Sequence, residues 1–316
     1  MNLGKLLKKE FVEKKYKEIH CQKAFLLGVV RGCGVVYQSN GDIGLEFAVS
    51  SEETAMLVSN FISNVYSYEI REISVDEDKL NKLDKFTLSI LGDVAVKVLT
   101  DLKIVSFLGD NIEVLNTLPD YVNKNECCGK AFIRGLFLSS GSLTVPSQNQ
   151  DDKTRYHLQM VFSSPELASL INGFLLKRGI NSKVIRRREK YVLYIKSAEE
   201  IKDFIAFVSA PKTALKLTDL IVNREFVNDV NRRKNCDLGN VNRQLAASFK
   251  QINAINKIKT KIGFDKLSKD LRQTAEFRLK FEDDSLIELA EKLNISKSCI
   301  NHRFRKLIEI AKELED

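Results

Sequence analysis

Between Ser296 and Leu307 the chain reads SKSCINHRFRKL. Lys297, Arg303, Arg305 and Lys306 are basic; Ser296, Ser298, Asn301 and His302 can hydrogen bond; no acid interrupts them. With helical spacing, Ser298, His302 and Arg305 lie opposite the Ile300–Phe304 face, and Asn301 and Arg303 flank it. Arg and Asn can make paired hydrogen bonds to a base edge, and Lys and Ser bond phosphates. The chemistry this predicts is recognition of double-stranded DNA rather than bond breaking. Upstream, residues 250–280 carry nine basic and three acidic residues, a source of sequence-independent phosphate affinity through Lys257, Lys259, Lys261 or Arg278. A third basic run, KVIRRREK at 183–190, has the pattern of a strand hairpin. A solvated tip is its plainer reading and a DNA-backbone contact the sharper one.

Other chemistries find less support. The six cysteines (Cys21, Cys33, Cys127, Cys128, Cys236, Cys299) form no CxxC pair, and the three histidines (His20, His157, His302) are scattered, so the spacing argues against structural zinc and for reduced thiols. No cofactor-binding motif is evident. The 316 residues carry a net charge of +8, which favours polyanionic partners. The longest apolar run, Ala24–Tyr37, is short and is broken by Arg31, so no membrane partner is expected. The amphipathic N-terminus lacks the features of a signal peptide and suggests a surface helix of a cytoplasmic protein.

A basic helix needs a partner to hold it against DNA. Leu286, Leu289, Ala290 and Leu293 give one apolar stripe; Ile300, Phe304, Leu307 and Ile308 give a second. Asn294 stands where the chain must turn, and Ser296 suits a helix cap. A small residue fifth, a turn residue ninth and a β-branched residue fifteenth are the marks of a helix-turn-helix; Ala290, Asn294 and Ile300 supply them. A helical hairpin with a solvated polar face is the alternative.

The rest of the chain is duplicated. KAFLLGVVRGCG at 23–34 returns as KAFIRGLFLSSG at 130–141 with a constant offset of 107 residues, and Cys21 returns as Cys128. Each copy is followed by an alternating strand, a Ser-Ser-x-Glu helix start at Ser51 or Ser164, an amphipathic helix, another strand (84–90 or 189–195) and a last helix near 92–106 or 197–209. Each half therefore reads αββαββα. Glycine inside a helix costs about 1 kcal/mol against alanine, so Gly28 and Gly135 predict that the two helices pack backbone to backbone.

LLGVVRGCG (26–34) and IRGLFLSSG (133–141) resemble the signature helices of the LAGLIDADG homing-endonuclease fold. The resemblance implies two halves packed about a pseudo-twofold axis, with a metal-binding aspartate before the last glycine of each helix. Here those positions hold Cys33 and Ser140, which cannot make a Mg²⁺ site; Asp42 and Asp151 lie downstream with no spacing that places them there. No catalytic residue and no metal ligand is therefore expected.

The stretches CCGKAFIRGLFLSSGSLTVP (127–146), NDVNRRKNCDLGNVNR (228–243) and ISKSCINHRFRKL (295–307) together resemble the WhiA family of bacterial regulators. That resemblance implies an α+β chain: a duplicated, degenerate LAGLIDADG-like domain at 1–215 (halves 1–110 and 120–215), a linker at 216–244 with partial helix, and an all-α helix-turn-helix domain at 245–316. It further implies a nucleoid-associated transcriptional regulator in cell division, chromosome segregation and, where it occurs, sporulation. Other regulators or a sigma factor would dock on the LAGLIDADG-like domain. The alternatives are an active or structure-selective nuclease and an adaptor that binds only protein.

Overall fold

A computed structural model describes residues 2–39, 41–70, 73–78, 83–108, 111–147 and 154–314. Asp151 lies outside them. The chain folds as two units, Met1–Glu225 and Phe226–Asp316.

The first unit opens with α1 (Leu3–Glu13), capped by Asn2, whose side chain accepts from the Gly4 amide. The helix was expected at the surface. One side of it is instead in the core: Leu3, Leu7 and Phe11 are buried, and the Phe11 ring meets Phe137 edge-on at 6.0 Å. The apolar residues recur every four positions, enough to bury a stripe while the lysines stay wet.

The first copy follows as α2 (Ile19–Cys33), β1 (Gly34–Ser39), β2 (Asp42–Val49), α3 (Glu52–Tyr66), β3 (Ile73–Asp78), β4 (Leu83–Leu91) and α4 (Asp93–Asp101). A hairpin of β5 (Val105–Leu108) and β6 (Asn111–Val114) and the short α5 (Asp120–Lys124) lead into the second copy. That copy runs α6 (Glu126–Ser140), β7 (Gly141–Thr144), β8 (His157–Phe162), α7 (Pro165–Leu176), β9 (Lys183–Arg187), β10 (Lys190–Ile195) and α8 (Ala198–Phe207). Both copies have the αββαββα order expected. Their antiparallel sheets match strand for strand, β1-β2-β4-β3 and β7-β8-β10-β9. Ser51 and Ser164 cap α3 and α7, accepting from Thr54 N and Leu167 N at 3.2 Å each. The helix expected to reach residue 106 stops at Asp101: Lys103 takes φ 55°, and the β-branched Ile104 and Val105 begin the hairpin.

The two glycine-bearing helices pack against one another, α2 on α6. A Cβ on Gly28 would stand 2.1 Å from the Phe132 carbonyl oxygen and 2.7 Å from the Leu136 nitrogen. A Cβ on Gly135 would stand 2.2 Å from the Phe25 oxygen and 3.2 Å from the Val29 nitrogen. The same 107-residue offset relates both pairs of contacts, so the interface is self-complementary. Around it Phe25, Leu26, Val29, Phe132, Leu136 and Phe137 are fully buried.

α9 (Pro211–Lys261) contains the segment expected as a linker, and the boundary between the two units falls within it. Residues 223–246 of this helix are almost wholly exposed. Its Asn- and Arg-rich composition looked like a linker, yet Gly239 is the helix's single glycine, and proline occurs only at its start, Pro211.

The second unit holds the C-terminal part of α9, then α10 (Lys269–Lys280), α11 (Leu286–Lys292) and α12 (Lys297–Glu313). Its core is Ala254, Ile255 and Ile258 with Ala275, Leu289, Ala290, Ile300, Phe304, Leu307 and Ala311.

Because the colliding atoms at Gly28 and Gly135 are backbone, side-chain rearrangement cannot relieve an added methyl. Gly28→Ala is expected to destabilise the first unit by about 2–3 kcal/mol, and Gly28→Leu by more. Urea unfolding followed by circular dichroism tests this; an unchanged midpoint for Gly28→Leu would mean that the helices stand apart.

Candidate nucleic-acid interface

The helix-turn-helix is built from its caps inward. Ser285 starts α11 with a capping box: its hydroxyl accepts from Glu288 N at 3.3 Å, and the Glu288 carboxylate accepts from Ser285 N at 2.7 Å. That bonding to the free backbone N–H holds the Glu288 carboxyl below its usual range. α11 ends at Lys292 with Leu293 as its cap, and Asn294 takes φ 51°, the left-handed turn expected of it. The Ile295 amide donates back to Ala290 O at 2.9 Å, and Ser296 then caps α12 by accepting from Cys299 N at 3.2 Å. Ala290 and Ile300 are buried at the crossing, where a small and a β-branched residue were expected.

The eight candidate contact residues are not equivalent. Lys297, Ser298, His302, Arg305 and Lys306 are exposed. Ser298, His302 and Arg305 point away from the buried Ile300, Phe304 and Leu307. Ser296 is exposed but occupied in part by its cap, and Asn301 is half-buried on the flank. Arg303 is committed internally: its guanidinium pairs with the Asp270 carboxylate at 3.1 Å and reaches Thr274 Oγ1 at 3.4 Å, fastening α12 to α10. Its spacing on the flank could not reveal a partner that lies 33 residues earlier.

Arg278 corrects the expectation that it would contact phosphate. It is 2% exposed, and its guanidinium donates to the carbonyls of Phe281, Glu282 and Asp284 at 3.4, 3.3 and 2.7 Å. It also lies 5.3 Å from the centre of the Phe304 ring. Burial lowers its proton affinity, but a guanidinium stays charged. Three carbonyls at the end of α10 thus converge on a buried cation, which holds the α10–α11 connection over the middle of α12. Ser248 adds a bond to the Glu282 carbonyl at 2.6 Å.

In the first unit, the former carboxylate positions are turned inward. The Cys33 thiol donates to Val29 O at 3.4 Å and the Ser140 hydroxyl to Leu136 O at 2.8 Å, each onto its own helix. Burial of the Cys33 sulfur pushes its pKa up to about 11, so it is a neutral thiol near pH 7. Asp42 is exposed at the β1–β2 turn, opposite Ser39. The basic run at 183–190 is the β9–β10 hairpin, where Lys190 pairs with Arg187 and Arg188 takes φ 57° at the tip. Arg186, Arg187, Arg188 and Lys190 are all exposed.

A doubled αββαββα domain with neutral residues at both former metal positions, joined to a helix-turn-helix, defines the class: a degenerate LAGLIDADG-type domain coupled to a helix-turn-helix domain. The family models that match are the WhiA N-terminal LAGLIDADG-like domain at residues 19–105, the WhiA LAGLIDADG-like domain at 129–227 and the WhiA C-terminal HTH domain at 230–311. A probable cell division protein WhiA of Bacillus licheniformis is 32% identical over 99% of this chain and 97% of its own. One of Alkaliphilus metalliredigens is 33% identical, covering 92% and 91%. The crystal structure of full-length WhiA from Thermotoga maritima is similar with a TM-score of 0.58 at 25% identity, covering 99% of each chain. The chain belongs to the WhiA family of cell division proteins.

Replacing Arg278 by Met keeps the bulk but leaves three carbonyls without their donor. Buried acceptors left unpaired cost about 1–3 kcal/mol in total, so Arg278→Met is expected to lower the unfolding midpoint of the second unit. Lys259→Ala should leave that midpoint within about 0.5 kcal/mol. Equal midpoints for the two variants in a denaturant titration would remove Arg278 from its structural role.

Proposed function

We propose that the protein is a sequence-specific, catalytically inactive DNA-binding regulator of transcription, reading double-stranded DNA with α12. The observation that carries this reading is the exposed, acid-free face Ser298–His302–Arg305 with Lys297 and Lys306 at its sides, held by caps and by a buried core. A helix presented in this way places hydrogen-bonding side chains at major-groove base edges. Arg303 acts behind this face, fixing the helix through Asp270. The exposed lysines of the second unit, such as Lys259, add phosphate affinity.

The doubled domain serves as a scaffold or as a docking surface for other regulators or a sigma factor. Cys33 and Ser140, both bonded to their own helices, support the absence of cleavage. The relatives' name, probable cell division protein, supports a role for this activity in cell division; chromosome segregation and, where it occurs, sporulation complete the proposed role. None of the helices among the described residues is long and apolar enough to cross a membrane. A cytoplasmic, nucleoid-associated protein fits this role.

Two measurements test the reading. In the first, wild type, Asn301→Ala, Arg305→Ala and Lys259→Ala are bound to a selected site and to random duplex across a salt series. Arg305→Ala and Asn301→Ala should each lose about 1–3 kcal/mol of preference for the selected site. Lys259→Ala should weaken both duplexes alike and reduce the salt slope by about one. Wild-type preference in both α12 variants would move recognition out of this helix, and failure to bind any duplex at low salt would favour the protein-only adaptor. In the second, supercoiled DNA incubated with Mg²⁺ or Mn²⁺ should stay intact; metal-dependent nicking lost on mutating a residue near Cys33 or Ser140 would restore the nuclease.

A further inference from the structure

The opposite end of the glycine-bearing helix pair carries a second cluster. His20 and Cys21 stand in the first turn of α2, and Cys127 and Cys128 in the first turn of α6. Their ligand atoms all lie within 4.8 Å of one another, the one grouping of this kind among the described residues. His20 Nδ1 is 3.1 Å from Cys128 Sγ and 3.4 Å from Cys21 Sγ. The 107-residue offset maps His20 onto Cys127 and Cys21 onto Cys128, so the pseudo-twofold that pairs the helices also brings two donor dipeptides face to face. The spacing argument against zinc looked for ligands near one another in sequence. These are 106 residues apart and meet through the helix packing.

From this juxtaposition we propose a tetrahedral Zn²⁺ site formed by Cys21, Cys127, Cys128 and His20. Thiolate sulfurs at about 2.3 Å from zinc are about 3.8 Å from one another at the edges of a tetrahedron. With all four donors within 4.8 Å of one another and His20 Nδ1 already 3.1 and 3.4 Å from two of the sulfurs, only small shifts separate them from such a tetrahedron. Three thiolates and a neutral imidazole leave the complex with one negative charge. The setting suits it: the recess of about 1000 Å³ beside the cluster is lined by Lys14, Lys15, Lys17, Lys124 and Lys130 against Glu18 and Glu126. Two helix N-termini also direct their positive ends to it. On binding, each thiol gives its proton to solvent and its sulfur lone pair to the metal, with no change of oxidation state. His20 and Cys127 are exposed, and Cys128 is fully buried, so the metal is reachable from one side and anchored on the other. It joins the two halves of the duplicated domain at the end where the glycines do not. Soft sulfur donors select zinc over Mg²⁺, which separates this site chemically from the lost nuclease centre about 20 Å along the helices.

The full-length protein, purified under reductant without chelator from zinc-supplemented cells, should carry about one zinc per chain by elemental analysis. Exchange into Co²⁺ should produce the intense visible bands and sulfur-to-cobalt charge transfer of a tetrahedral thiolate site. Cys21→Ser/Cys127→Ser should lose both the metal and the bands, while Cys236→Ser/Cys299→Ser keeps them. If the first variant does not fold, alkylation mapping of the wild type decides: Zn²⁺ should protect the exposed Cys127 and the half-buried Cys21 and leave Cys236 reactive. A wild type without zinc after Zn²⁺ addition, zinc retained in Cys21→Ser/Cys127→Ser, or alkylation indifferent to Zn²⁺ would each overturn the site.

Discussion

The fold of the first unit depends on two missing methyl groups. At Gly28 and Gly135 each helix presses bare backbone on the other, with a carbonyl oxygen 2.1 or 2.2 Å from where a Cβ would stand. Backbone packing of this kind sets the distance between the helices more tightly than interdigitated side chains would, because backbone cannot change rotamer. The sheets inherit that precision. β1 begins at Gly34, immediately after α2, and β7 at Gly141, immediately after α6. With no connecting loop in either copy, the helix interface fixes where both sheets start.

The same constraint gives the helix pair two chemically different ends. At the C-terminal ends, a thiol and a hydroxyl bond their own helices and present no anionic oxygen. At the N-terminal ends, three thiols and an imidazole converge. A pseudo-twofold interface brings corresponding residues together at each end whatever those residues are. A chain that loses carboxylates at one end therefore still carries, at the other, a place where paired substitutions meet.

The sequence revealed most clearly what repeats and what caps. The 107-residue offset gave the element order of both halves, and the prediction of close approach at Gly28 and Gly135 followed from the cost of glycine in a helix. Ser51, Ser164, Ser296 and Asn294 act as their types suggest because capping and turning are local matters. The β5–β6 hairpin went unseen: it has four-residue strands and lies between the repeats, where no second copy marks it. The continuity of helix α9 was hidden by its middle, 223–246, which buries almost nothing. The cysteine–histidine cluster and the partners of Arg303 and Arg278 depend on tertiary packing that no local pattern encodes.

Those arginines limit what net charge can say about DNA. Three arginines, Arg278 and two of the first unit, serve the fold through carbonyl groups. Arg278 gathers the end of α10. Arg134, 4% exposed, donates to Val208 O at 2.8 Å where α8 ends. Arg31, the charge that interrupts the first apolar helix, reaches the carbonyls of Lys103, Leu115 and Thr117 around the β5–β6 hairpin. Each guanidinium has five donors in a fixed plane and cannot be neutralised near pH 7, so it can satisfy several chain-end carbonyls at once. A lysine offers neither that geometry nor that permanence. The positive charge that faces solvent on the second unit is accordingly smaller than the count of its basic residues, and on α12 it lies in the stretch before the first acid of that helix, Glu309. Localisation of the exposed cations, more than the total of +8, is what distinguishes a recognition surface from a merely basic protein.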